Sequence, residues 1–510
     1  MSNLKKILKN IKLSKISNYN SKNKILLIDR GRVDSVLRNY YVVKLLQEKT
    51  RLDPVIITDL KSENLTIQFY KQLGFKKFFR SFKIKYIALY PIFFLKFLKY
   101  FFYYLKYAIN NDVFKFIREY KVENIFVGDI IFDRFIRNDY KFLNVKLFNI
   151  KFLIILSYTI YKIFYIEKFI KENQVKFIIL NTHNYANNNA ITFKLAKKLK
   201  INLIYSKGFQ FFYFKKGNYS KFTDPRIITL SKLNQINGFK NYKQKLKKHM
   251  DLRLKGKLPH FDVKNAYANK KITIKKFLKK KVNLIEFDKK ILLASHSLSD
   301  ANHHYFEYRV RSPFESYYKQ LIETLQFAKN HKNILFLVRP HPSSVFWHEE
   351  GLIGKIYNEF KKFSNIQLVD SNFSTADLLN FVDTVITVYG TIGLECSGFF
   401  HKKPIIAGKG FYSDLGITLD SHTKEQYFRN ILKNKNSHKM TKREIHISEK
   451  CLYYHEKIVN REYESIICSS NRLIEAKKYY NNFLNFHENK KLKKDNYLKL
   501  IEKKIKIIKY

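Results

Sequence analysis

Cysteine is nearly absent: Cys396, Cys451 and Cys468 are the only three in 510 residues, an odd number at no metal-type spacing. That excludes a disulfide framework and fits a reducing compartment. Proline (8), glycine (15) and tryptophan (1) are scarce too, while Lys, Asn, Ile, Tyr and Phe abound, as an AT-rich coding sequence produces. Long apolar runs are missing. Residues 86–95 and 152–161 are the greasiest windows, and each gives way to lysine after about ten residues, short of the roughly 20 that span a bilayer. The first 24 residues are basic throughout and lack the apolar stretch of a secretory leader. The expectation is a cytoplasmic protein, with peripheral contact at the inner face of the cytoplasmic membrane allowed through basic and aromatic faces.

Acidic residues are also few, 42 against 97 basic ones, for a formal net charge of +55. Only 17 of the 97 are arginine, so 80 are lysine and much of the charge is compositional background. The positive field attracts anionic lipid surfaces, nucleotide sugars or polyanions, most strongly at low salt. Lysine-rich helices with interleaved Tyr and Phe would suit single-stranded nucleic acid, but no nucleic-acid motif accompanies them and none is expected as a partner. Disorder is excluded, because 45% of the residues are apolar and 16% aromatic. At about 100–200 residues per domain, the length fits two domains and a tail.

Short apolar runs alternate with helical stretches along the chain. Residues 24–29, 124–128, 176–180 and 201–205 read as buried strands, each followed by a polar loop. A second series follows at 290–295, 333–338, 366–369, 384–388 and 404–407, with helices between, notably 314–330 and 375–381. Continuous apolar strands separated by helices argue for parallel sheets covered on both faces. The expected architecture is α/β, two Rossmann-like domains with a helical basic C-terminal tail. Its parts are a basic segment (1–23), a first domain (24–260), a linker (261–285), a second domain (286–430) and the tail (431–510). Such folds bind ligands at the carboxyl ends of their strands, where the motifs should cluster.

Arg339-Pro340-His341-Pro342-Ser343-Ser344 follows a buried strand. Its two prolines fix φ on either side of the imidazole, and Arg339 with two hydroxyls could receive a phosphate. Gly390-Thr391-Ile392-Gly393-Leu394-Glu395 makes a second strand–turn–helix unit. There the glycines let amides approach an anion, the helix start adds partial positive charge, and Glu395 could accept from ribose hydroxyls. Ser295-His296 through Asp300 and His303-His304 forms a third loop, running on to Glu307, Arg309 and Arg311. Its spacing does not match a metal-binding histidine pair, and an acid/base or phosphate-gripping role suits it better. In the first half, Asp29, Arg30 and Arg32, then Asp129, Arg134 and Arg137, then His183 follow strands in the same way. Seven of the 17 arginines fall in or beside these loops, where bidentate recognition of phosphate or carboxylate is a reason to prefer Arg over Lys. No Walker-type phosphate loop, nucleophile elbow, paired-Cys zinc pattern or divalent-metal carboxylate pair is present, so no cofactor and no metal are expected.

In this order and spacing, Ser295-His296 with Asp300, Arg339-Pro340-His341-Pro342, Tyr389-Gly390-Thr391 through Glu395, and Lys403-Pro404 through Gly408 with Phe411-Tyr412-Ser413 resemble bacterial capsule-polysaccharide synthesis proteins. These are GT-B glycosyltransferases related to Kdo transferases. The resemblance is good over roughly 291–427 and fainter in the first half, where residues 127–134 look like a segment of surface-carbohydrate members. It implies a nucleotide-activated sugar, often a CMP-linked acidic one such as Kdo. The second domain would bind it through Ser295, His296, Arg339, His341, Pro342, Ser343, Ser344, Gly390, Thr391, Gly393, Glu395 and Gly408. The acceptor, a glycan or lipid-linked glycan, would enter from the first domain past Arg30, Arg32, Arg134 and His183, without an obligatory metal. Arg339 and His341 would stabilise the departing phosphate. A carboxylate must serve the acceptor hydroxyl, with Asp300 the first candidate and Asp29 and Asp129 in reserve. Two rivals remain: a teichoic-acid-type polyol-phosphate transferase, and a non-catalytic basic protein that binds polyanions.

Overall fold

The computed structural model describes residues 15–508 apart from 30–32, 59–63, 81–90, 139–143, 181–187, 208–209, 217–226, 235–240, 259–262, 264–265, 268–272, 301–311, 343, 370–372 and 460–494. Two six-stranded sheets organise it. The first comprises β1 (Lys24–Asp29), β2 (Asp53–Thr58), β3 (Lys77–Arg80), β4 (Val175–Leu180), β5 (Asn202–Lys207) and β6 (Gln210–Phe214), in the order β3-β2-β1-β4-β5-β6. The second comprises β7 (Lys289–Ala294), β8 (Ile334–Arg339), β9 (Ile366–Leu368), β10 (Thr384–Thr387), β11 (Ile405–Ile406) and β12 (Leu419–Asp420), in the order β9-β8-β7-β10-β11-β12. Each sheet starts at its centre and winds outward both ways, the Rossmann-like arrangement expected. All pairings are parallel except β5 with β6.

Burial on both faces explains the unbroken apolar strands. Every residue of β1, β2 and β8 is buried. In β1, Leu26 and Ile28 face one core while Ile25 and Leu27 face another. On the second of these faces lies α1 (Val33–Thr50), and the first is covered by α2 (Pro91–Ala108), α3 (Gly128–Asn138) and α4 (Ile150–Glu172). Ring pairs Phe93–Phe164 at 5.5 Å, Phe97–Tyr161 at 5.3 Å and Tyr104–Phe152 at 6.2 Å run in opposite sequence directions, so α2 and α4 are antiparallel neighbours. The strand expected at 124–128 is instead a small hairpin, 121–122 with 125–126, turned by left-handed backbone at Glu123 and Asn124. Gly128 then opens α3 because a Cβ there would run into the Phe116 carbonyl.

The chain enters the second domain's core earlier than residue 260. Ile228, Leu233 and, from α5 (Tyr242–Leu254), Leu246 and Met250 pack with Phe411 and Leu452. Within the stretch expected as linker, Ile274 and Leu278 sit against Leu292 and Leu335. Lysine dominates these segments by number, yet their few apolar residues fall on one face and decide where they dock. α6 (Thr391–Gly398) follows β10, and α7 (Lys442–Tyr453), started by a Thr441–Glu444 capping box, packs on it. The last helix, α8 (Asn496–Lys506), returns to the first domain. Its Tyr497, Ile501 and Ile505 are buried there, Tyr497 pairs with the Ser206 hydroxyl at 3.3 Å, and Lys49 donates to the Lys506 carbonyl at 2.6 Å. Among the described residues no helix is long and apolar enough to cross a membrane.

Candidate functional site

β8, β7 and β10 are parallel neighbours, so the loops that follow them leave the sheet at one edge. Ser295 ties the first two together, its backbone N–H and its hydroxyl both donating to the Arg339 carbonyl at 3.0 and 2.8 Å. Next in line, the His296 ring is layered between Tyr317 (4.1 Å, 8°) and His341 (5.3 Å, 24°). Burial pushes the His296 imidazole down to about 4, so it is neutral near pH 7. Glu349 fixes the same loop from below by accepting from the Leu298 and Ser299 amides at 2.9 and 2.6 Å and from the Ser299 hydroxyl at 2.5 Å. Burial raises its carboxyl despite those bonds. Ser344 donates its N–H to the His341 carbonyl at 3.0 Å, closing the turn after Pro342.

The third loop is built around two glycines. Gly390 donates to Thr387 Oγ1 at 3.2 Å and accepts from Tyr412 Oη at 2.7 Å, and a Cβ at Gly393 would overlap that same hydroxyl. Gly390 precedes α6 without a side-chain cap and its carbonyl accepts from Gly393 N–H at 3.2 Å, so the helix presents its first two amides, those of Thr391 and Ile392, to an anion. Glu395, expected to meet a ribose, lies in a buried network. Arg253 Nε and Nη2 donate to it at 3.0 and 2.5 Å, and the Tyr267 hydroxyl donates as well. Arg253 also stands 3.8 Å from Glu456. Burial opposes the charge on Glu456, but hydrogen bonds from His249 and His455 together with Arg253 hold its carboxyl well below the usual range.

Arg339 is buried, and its Nη2 donates to the carbonyls of Phe373 at 3.0 Å and Ala266 at 3.3 Å. Ala266 and Tyr267 therefore join the second loop to the third, one through Arg339 and the other through Glu395. Gly408, beyond β11, has φ 141°, and the turn after it is pinned by Ser413, which accepts from Gly410 N–H at 2.8 Å and donates to Asp420 at 2.7 Å.

Across the domain boundary, Arg137 at the end of α3 reaches Asp300 at 3.5 Å and lies 4.3 Å over the ring of Trp347, the one tryptophan. The other oxygen of Asp300 is 3.9 Å from His296 Nδ1. Asp300 thus sits where the two domains meet, beside the layered histidines. The reserve carboxylates are placed differently. Asp29 is buried and accepts from Ser35 at 3.3 Å and Tyr70 at 3.1 Å, while Asp129 is bound by Lys194 at 2.7 Å. Arg134 lies over Tyr158 at 4.4 Å. Arg30, Arg32, His183, His303, His304, Glu307, Arg309, Arg311 and Ser343 lie outside the described residues.

Glu349, Arg253, Tyr267, Tyr317 and Trp347 were not legible as parts of this site. Each contributes through a contact made by a segment remote in sequence, and only the solitary Trp347, a few residues past His341, carried a local signal.

Two doubly wound domains with such loops between them form the two-domain Rossmann-like class that includes the GT-B enzymes. Residues 237–455 match the family model described as "Capsule polysaccharide biosynthesis protein". The match contains all three loops. Solved structures matched include UDP-GlcNAc 2-epimerase from Neisseria meningitidis bound to UDP-GlcNAc (11% identity, TM-score 0.21, covering 91% of this chain and 98% of that one). A glycosyltransferase from Rickettsia africae (12%, 0.19, 92% and 98%) and HepE from Anabaena in complex with UDP and glucose (8%, 0.27, 91% and 99%) are others. At such distances the likeness says nothing about what this chain binds. No curated protein matches it.

Proposed function

We propose that the protein is a glycosyltransferase that moves a sugar from a nucleotide donor, a CMP-linked acidic sugar such as Kdo being the first candidate, onto a capsular or other surface polysaccharide. The observation that carries the reading is the convergence on His296 of His341 and Asp300, from neighbouring strand ends, with Arg137 of the other domain against Asp300.

In this reading the donor's phosphate lies between His341 and the open amides of α6, and Arg339 and Glu395 act by holding those two loops rather than by touching the nucleotide. The acceptor hydroxyl loses its proton to Asp300 as its oxygen bonds to the anomeric carbon. The bond from that carbon to the phosphate oxygen breaks, and the nucleotide departs with the electron pair. Preorganised donors stabilise that growing charge better than water does. Neutral His296 and the Tyr317 ring keep His341 in place. Ser295, Ser344 and Gly408 shape the pocket wall, and Arg134 lines the acceptor side. Chemistry of this kind, on a lipid-linked glycan at the inner face of the cytoplasmic membrane, needs no metal.

Thermal-shift titration with CMP, UDP and GDP tests the donor: a ligand at about 100 times its dissociation constant raises stability by about 2.7 kcal/mol. Product analysis tests the reaction. Sugar joined without phosphate supports the proposal, and phosphate in the new linkage replaces it with polyol-phosphate transfer. A protein that binds polyanions but neither hydrolyses nor transfers any sugar nucleotide would end the enzymatic reading.

A further inference from the structure

One face of the first domain exposes apolar side chains that no described contact requires to be there. Phe94, Leu95, Phe102 and Ile109, on and just after α2, are between 50% and 71% exposed. Phe148, Ile150 and Ile154, at the start of α4, expose between 59% and 68%. These seven are more than half of the thirteen large hydrophobics exposed among the described residues. The two groups adjoin, because the Tyr104 hydroxyl at the end of α2 donates to the Leu147 carbonyl at 2.6 Å and Asn111 accepts from Leu147 N–H at 2.8 Å.

The stripe has a helical period. Leu95, Leu98, Phe102, Leu105 and Ile109 recur at alternating steps of three and four, with exposed Lys99 and Lys106 beside them and exposed Lys151 on α4. Neither α2 nor residues 144–166 contain an Asp or Glu. We infer that this face docks on an anionic phospholipid surface, with the apolar stripe in the headgroup boundary and the lysines against the lipid phosphates. Lysine-flanked helices with Phe and Leu on one face lie in that plane. Charge selects the occupant: a second copy would bring Lys99 and Lys106 against the same cations, whereas an anionic membrane supplies the opposite sign. α4 packs against α3, whose last turn carries Arg137, so the docked face is one helix removed from Asp300. The inference rests on exposed side chains and stands whether or not the donor reading above holds.

The test uses the full chain and sedimentation with vesicles of phosphatidylcholine alone or with 30% phosphatidylglycerol. At +55, lysines elsewhere also attract anionic lipid, so the decisive variant changes no charge: L95Q/F102Q/I109Q. In about 0.5 M salt, where screening acts within about 4 Å, wild type stays on the anionic vesicles and the triple variant binds at least about tenfold more weakly. K99Q/K106Q weakens binding to the same vesicles, and its deficit from wild type shrinks as salt rises. An unchanged thermal midpoint in the triple variant shows that the fold is intact. Equal binding by wild type and triple variant overturns the inference. So does a wild-type dimer in sedimentation velocity that the triple variant converts to monomer, which would assign the face to a second copy.

Discussion

The two sheets share one strand order but differ in what they do with the charged residues at their carboxyl ends. In the first domain those groups are consumed by their own fold: Asp29 accepts from Ser35 and Tyr70, and Asp129 is clasped by Lys194. In the second, Asp300 meets Arg137 across the boundary at 3.5 Å and His296 at 3.9 Å, and the His341 ring stacks 5.3 Å from that of His296. The difference teaches that one topology can pair its strand-end charges inside its own domain in one copy and across the domain boundary in the other.

Interchanging the two behaviours tests that lesson. Asp300→Asn should lower kcat by about 10²–10⁴ at an unchanged thermal midpoint, while Asp129→Asn should keep kcat and cost about 1 kcal/mol in urea unfolding. The opposite pattern would move the reaction to the first domain. Next in size is the buried network behind the second-domain loops. Arg253→Met leaves Glu395 buried beside Tyr267 alone and should cost about 3–5 kcal/mol in urea unfolding, with much of it regained in R253M/E395Q. If R253M matches wild type, the loops are not held from behind as described.

A smaller effect belongs to the glycine turn. Gly393→Ala should cost about 1–3 kcal/mol because its methyl meets the Tyr412 hydroxyl, and the loss should shrink in G393A/Y412F. A loss that is fully additive would place the strain elsewhere. The smallest is an acid slope. His296 and His438 are both pushed down to about 4 by burial, whereas an unfolded histidine binds its proton near 6.5. Between those values the unfolded chain holds more protons, so stability falls as pH falls from about 6.5 to about 4, by no more than about 1.4 kcal/mol per pH unit for each group. His296→Asn should flatten that slope in pH-dependent melting.

Much of the architecture was legible locally. The helix at Thr375–Phe381 and the central strands of both sheets stand where apolar runs and turns put them. Two neighbouring strands had weaker signals: the inner strand Asp53–Thr58 opens with Asp-Pro, and the edge strand Lys77–Arg80 is half exposed with lysine and arginine at its ends. The Lys-rich stretches were misjudged for a related reason. Counting charge hid Met250, Ile274 and Ile501, whose burial carries α5, the 274–279 helix and α8 into the cores. Within the site, the His341 and Gly390 loops announced themselves through proline and glycine, because those residues constrain the backbone wherever they stand. Partnership did not: nothing near Glu395 in sequence predicts Arg253, 142 positions away.

By itself the sequence determined two apolar, strand–helix-alternating halves, a surplus of lysine, and three loops marked by histidine, proline and glycine after strands, since periodicity, charge and backbone restriction are properties of short segments. Only the tertiary structure decided which carboxylate stays at the domain boundary, which arginine is a staple, and which greasy helices are left facing outward. Those outcomes depend on distances between segments 43 to 163 residues apart, and burial and pairing energies exist only once such segments meet.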